Sequence, residues 1–161
     1  MLHKDIQEVR SWRGGPARYD TIFVEQDENL PGFRGLLAAR VLLFFSFKRG
    51  RIEYPCALVT WFSAIGNEPC PDVRMWMVEP DVDNRGQHVM DIIHINSILH
   101  GAHLIPVFGD DFLPHNFKFT ASFNSFRAYY INKYADQHSH KIVFEYNLIF
   151  FNSHVFELFE A

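Results

Sequence analysis

A chain of 161 residues that is 48% hydrophobic and 21% charged can bury one core and is too apolar to be disordered. Two cysteines, Cys56 and Cys70, exclude a disulfide framework and a four-cysteine zinc site. The net charge of −4 counts against a free-standing nucleic-acid binder, yet residues 1–51 hold nine Lys and Arg against six Asp and Glu, and residues 52–161 hold six against thirteen.

Residues 1–18 read as a flexible lead-in, polar and broken by Gly14-Gly15-Pro16. Their charges rule out a secretion signal, and no run of about 18 uncharged apolar residues follows that could cross a membrane. The expected compartment is therefore a reducing, intracellular one. Tyr19–Glu25 predicts a short strand, and Pro31-Gly32 marks a turn.

Ala39–Lys48 is too apolar for a one-faced strand, so burial on both faces is expected. Glu53–Phe62 returns antiparallel to it after the basic turn Lys48-Arg49-Gly50-Arg51. Met75–Glu79, Val89–Ile95 and His103–Val107 predict further strands, with Asn96–Ala102 as a tight connection. The period then changes: Phe123, Phe126, Tyr130, Ile131 and Tyr134 fall on one face of a helix over Ser122–Tyr134, capped by Thr120 or Ser122. His138 and His140 would then lie at its C-terminal end, where cations interact well with the helix dipole. Together these elements predict a mainly β (α+β) fold, a small barrel-like or sandwich unit of about six strands with one C-terminal amphipathic helix.

No complete catalytic motif stands in the sequence. G-x-S-x-G, G-x-x-x-x-G-K-[ST] and G-x-G-x-x-G are absent. Asp81–Gly86 begins like a calcium loop but places Arg85 at a ligand position and Ile92 where the bidentate Glu belongs. Cys56 lies within a predicted strand and reads as a core residue. His94, His100 and His103 with Asp110 or Asp111 are the candidate metal ligands, since imidazole and carboxylate are the donors such sites use. No cofactor is implied.

Tyr54–Phe62 (YPCALVTWF), Met75–Pro80 (MWMVEP), Ile92–Gly109, Phe112–Pro114 and Phe126–His140 follow one another in an order that resembles a module near the C-terminal end of transposase-like proteins of mushroom-forming fungi, of the Plavaka type and related to the KDZ group. The resemblance spans Tyr19 to Lys141. It implies a mobile-element origin and a nuclear setting. The catalytic acids of such transposases lie in a separate upstream domain, so none is carried over. Asn96, His100, Gln137 and Lys141 depart from the wording of the family. A weaker likeness to small β-barrels of the BAH type, which mediate chromatin contacts, rests on Val59–Phe62 and Leu104–Val107.

These readings divide the chain into the lead-in, one β-rich domain over residues 19–141, and an apolar tail over 142–161 that matches nothing in the module and is expected not to be integral to it. The first functional expectation is a non-catalytic accessory module binding protein or nucleic acid through Arg34, Arg40, Lys48, Arg49 and Arg51. A small metal-dependent enzyme built on the His/Asp cluster and a non-functional fragment of a mobile element are the alternatives.

Overall fold

The computed structural model describes residues 8–9, 18–109, 115–117 and 125–143. Its strands are β1 (Glu8–Val9), β2 (Arg18–Tyr19), β3 (Thr21–Glu25), β4 (Leu36–Arg49), β5 (Ile52–Ala64), β6 (Met77–Pro80), β7 (Met90–His94), β8 (Ile98–Ala102), β9 (Leu104–Pro106) and β10 (Tyr129–Ile131). One α-helix among the described residues, α1, covers 137–143. The fold is mainly β, with eight strands in its main sheet where the sequence predicts six. β1 and β2 form a separate antiparallel ribbon inside the expected lead-in.

The main sheet is antiparallel and runs β8-β3-β4-β5-β6-β10-β9, with β7 attached to β5 off that path. β8 and β9 stand at opposite edges, yet only His103 separates them in sequence. Two edges joined by one residue cannot be far apart, because consecutive Cα atoms are about 3.8 Å apart. The sheet therefore curls into a nearly closed barrel, its seam crossed by covalent chain. Asn132 N donates to His103 O at 2.9 Å and holds β10 against that corner.

The barrel interior is filled by Phe23, Leu36, Ala38, Phe62, Val78, Ala102, Leu104, Tyr129 and Ile131, with Phe33, Trp76 and Val143 continuing the same cluster. Phe62 meets Tyr129 edge-on at 5.8 Å, and Phe33 meets Trp76 at 5.4 Å. A second cluster, Ile22, Val24, Ala39, Val41, Ala57 and Val59, takes the opposite face of the same sheet. Ala38 and Ala39 belong to different clusters, so the first part of β4 is buried on both faces, as its apolar run predicts. The expectation fails beyond Val41, where β4 becomes half-buried and then exposed.

Two predicted local structures are corrected. Asn96–Ala102 is a 3-10 turn followed by strand β8, which lines up against β3 with Thr21 Oγ1 donating to Ala102 O at 2.7 Å. Of the expected helix over Ser122–Tyr134, residues 122–124 lie outside the described residues, and Tyr129–Ile131 is β10, paired on both sides. Tyr129 and Ile131 are 0% and 1% exposed and half-buried Tyr130 lies between them, which is the alternation of a strand. The helix follows instead. Asp136 caps its start: Ser139 N donates to Asp136 Oδ1 at 2.7 Å and Ser139 Oγ to Oδ2 at 3.2 Å. His138 and His140 thus sit in the opening turns of α1, away from the dipole end assigned to them.

Gly35 is a tight point. A Cβ there would overlap the backbone carbonyls of Asp27 and Leu30, and Gly35 O accepts from Gln26 N at 2.9 Å and Asp27 N at 3.1 Å. Gly35→Ala is expected to cost about 1–3 kcal/mol by overpacking, read as a lowered denaturation midpoint.

The tail boundary also moves. Val143 is 2% exposed within the main core, and Ile142 packs on that core; residues 144–161 lie outside the described residues. A chain ending at Lys141 should melt about 5–10 °C below one ending at Val143, since burial of these side chains contributes about 2 kcal/mol or more. Equal melting of the two would place the boundary back at Lys141.

Candidate functional site

Beyond Val41 the β4–β5 hairpin leaves the barrel as an arm, widened by β7, which pairs with Cys56–Thr60 of β5. The β4–β5 register shifts between Val41 and Leu43, a bulge at Leu42. Side chains alternate along a strand, so one extra residue reverses which face each later side chain takes. Val41, opposite Val59, belongs to the outer cluster; Leu43, opposite Leu58, falls on the other face with Phe45 and Phe47.

On that face the cross-strand rows are Leu43–Leu58–Ile92, Phe45–Cys56–His94, Phe47–Tyr54 and Arg49–Ile52. Met90 extends it toward the barrel, in the row of Arg40 and Thr60. Leu43 is 40% exposed, Phe47 48%, Ile52 59%, Met90 60% and Ile92 57%. The Phe47 and Tyr54 rings stack at 5.2 Å, with 16° between their planes. A contiguous apolar surface of this kind marks a contact site more often than bare surface. At the tip the chain turns through Gly50, whose φ of +66° suits glycine. On the arm's other face, Ser46 Oγ donates to Glu53 Oε1 at 2.7 Å.

Of the candidate contact residues, Lys48, Arg49 and Arg51 gather, exposed, at the arm tip. Arg34 stands apart on the 3-10 turn Gly32–Gly35; its Nη2 donates to Asn67 O at 3.3 Å beside a cleft of about 570 Å³ that Phe33, Phe62 and Trp76 also line. Arg40 is nearly buried, unlike the other four. It is 7% exposed, its guanidinium lies 5.3 Å from the Phe62 ring centroid, and it hydrogen-bonds Tyr129 across the barrel.

The metal candidates are scattered. His94 Nδ1 accepts from Asn96 N at 3.1 Å and caps the turn before β8. His100 holds Gly101 O at 2.7 Å and stacks on His138 at 5.9 Å. His103 pairs with Asn132 Nδ2 at 3.2 Å. Asp110 and Asp111 lie outside the described residues. Among the described residues, three or more His, Cys, Asp or Glu nowhere converge as a metal site would require. No helix among them is long and apolar enough to cross a membrane.

What sequence reading missed is the apolar arm face. Its signal is present, since Leu42–Phe47 is more apolar than a solvated hairpin needs, but such a run reads equally as a strand buried on both faces. Comparison with family models, curated proteins and solved structures found no match to this chain.

Arg40 and Tyr129 are tied electrostatically. Burial holds the Tyr129 hydroxyl above its ordinary range, opposed by the neighbouring Arg40 charge and by a hydrogen bond from the Phe126 backbone. Burial also holds Arg40 below its usual value. The folded state favours the neutral phenol. Its contribution is whole below about pH 10, the ordinary tyrosine value, and is lost as pH rises through the raised value. Tyr129→Phe should destabilise by about 1–3 kcal/mol, because it removes an acceptor from a buried guanidinium. Tyr129's share of the alkaline loss of stability, followed by denaturation above about pH 9, should vanish in that variant.

Proposed function

We propose that this chain is a protein-docking module of a transposase-derived polypeptide, in which the barrel is the scaffold and the β4–β5–β7 arm makes the contact. The carrying observation is the apolar ladder Leu43, Phe45, Phe47, Ile92 and Met90, which faces solvent on strands whose other face is packed as far as Phe44, Ala57 and Ile93. Protein partners cover apolar, aromatic-rich faces of this kind, with charge left to the rim. Here the tip carries Arg49 on that face and Arg51 in the turn, while Lys48 lies opposite Glu53 on the other face. The resemblance to transposase-like proteins supplies the setting.

A photoreactive residue at Phe47 is expected to yield discrete protein adducts in cells, and one at exposed Glu68 to yield none. Adducts to nucleic acid alone, or equal labelling from both positions, would refute the reading.

The stacked Phe47–Tyr54 pair beside Arg49 and the turn residue Arg51 favours a second reading, a single-stranded nucleic acid held by stacking and charge. On that reading a short oligonucleotide binds weakly and loses affinity steeply with salt, since each neutralised phosphate releases counterions. Arg49→Ala with Arg51→Ala should lower the log–log salt slope by about one per contact removed. A slope unchanged by both substitutions would exclude the tip as the site.

A further inference from the structure

We propose that the arm face takes an acidic, apolar segment of another protein, and that one carboxylate of that segment enters the cleft at the base of the arm and is held by Arg40. This rests on the docking reading above and names the chemistry of the partner. The rows of the face run from Arg40–Thr60–Met90 at the barrel mouth, through Leu43–Leu58–Ile92, Phe45–Cys56–His94 and Phe47–Tyr54, to Arg49–Ile52 at the tip. Arginine supplies the only fixed charge in those rows, once at each end. Glu53 and Asp91 pair with Lys48 and Val59 and so take the opposite face. Ile52 lies eight positions before Thr60 along β5, or about 26 Å of strand. The surface is thus an apolar strip with a cation at each end and no carboxylate in its rows. Its complement is an apolar strip with acids at its ends.

The cleft at the base has a volume of about 280 Å³. Its polar lining is Tyr19, Arg40, Thr60, Gln87 and His88, and Met90 joins it to the arm face. Each of these polar side chains can donate a hydrogen bond, and none is a carboxylate. The volume lies just under the range that admits a drug-sized ligand and suits one side chain. Arg40 is 7% exposed, held by its hydrogen bond with Tyr129 and its place over the Phe62 ring. A guanidinium has five N–H donors, so it can keep Tyr129 and still receive a carboxylate. Burial works against the Arg40 charge, and a carboxylate beside it acts in the opposite direction. Nucleic acid matches this surface less well. Its strand carries a phosphate every few ångströms, and several would lie across the apolar middle, where the rows offer no cation.

The test is selection of a random-sequence peptide library on the immobilised full chain, with the selected peptides then titrated against it in solution. Enrichment of Asp or Glu together with aromatic and aliphatic residues is expected. Replacing the acids of a selected peptide by Asn or Gln should weaken it about tenfold. So should His88→Glu, which puts a carboxylate into the cleft from an exposed position, and Arg49→Glu at the tip, each checked for an unchanged melting temperature. Selected peptides without acids, or acidic peptides indifferent to both substitutions, overturn the proposal. Phe47→Asp then separates the two readings. Peptides that lose binding in that variant leave docking on the arm face standing, and peptides that keep it sink both. If no peptide is selected the proposal falls, and the photoreactive residue at Phe47 decides docking alone. If the full chain self-associates on sedimentation and the same substitutions reverse it, the occupant is a second copy and the separate partner falls.

Discussion

The stretch from Ile98 to Pro106 serves both edges of the main sheet, β8 against β3 and β9 against β10, with His103 as the corner. An open sheet would hold its two edges apart; here one continuous stretch pairs with β3 through its first part and with β10 through its second, which brings the edges together. Curvature then decides the core. One face turns inward and must be filled, and Phe23, Phe62, Tyr129 and Ile131 fill it. Ala38 and Ala102 stand in the same cluster as these larger side chains.

Closure also explains why an arm exists. β5 is 13 residues long, and β6 occupies only Phe62–Ala64 on the edge that continues the barrel. The remaining length cannot follow the barrel wall, because β6 and β10 lead the sheet toward its seam. β7 takes the leftover edge at Cys56–Thr60, and the hairpin projects with its own third strand. Arg40 stands where barrel gives way to arm. Its inward guanidinium is bounded by the Phe62 ring and the Tyr129 hydroxyl, so a charge that would otherwise be costly to bury ends the apolar interior at that mouth.

The same face that lines the barrel runs outward along the arm, but the sequence positions that occupy it change at Leu42. Without the bulge, the alternation that puts Ala38 and Arg40 inside would have carried Leu42, Phe44, Ser46 and Lys48 onto the arm face. With it, that face receives Leu43, Phe45, Phe47 and Arg49, and Phe44 joins the outer cluster. One inserted residue thus converts a mixed face into a nearly continuous apolar one.

Local chemistry was legible from the sequence. β4 and β5 declared themselves as two long apolar runs around a basic glycine turn, and the short strands β3, β6, β7 and β9 each carried β-branched or aromatic residues between turn signals. The cationic tip at Lys48, Arg49 and Arg51 was equally plain, because charge beside a tight turn must face water. β10 was hidden: three residues with aromatic neighbours at helical spacing satisfy either period, and only the pairing of Tyr129–Ile131 between β6 and β9 selects the strand. β8 was hidden because Gly101 and Ala102 have little strand propensity of their own; packing against β3 holds them extended. The arm face was hidden for a different reason. An apolar run records that side chains avoid water but not which surface shields them, and a bulge leaves no mark in composition. Propensity and charge act over a few residues, so the sequence determined β3 to β7 and β9, the hairpin and the basic turn; β8, β10, register, closure and exposure depend on partners far along the chain, and only the tertiary structure decided them.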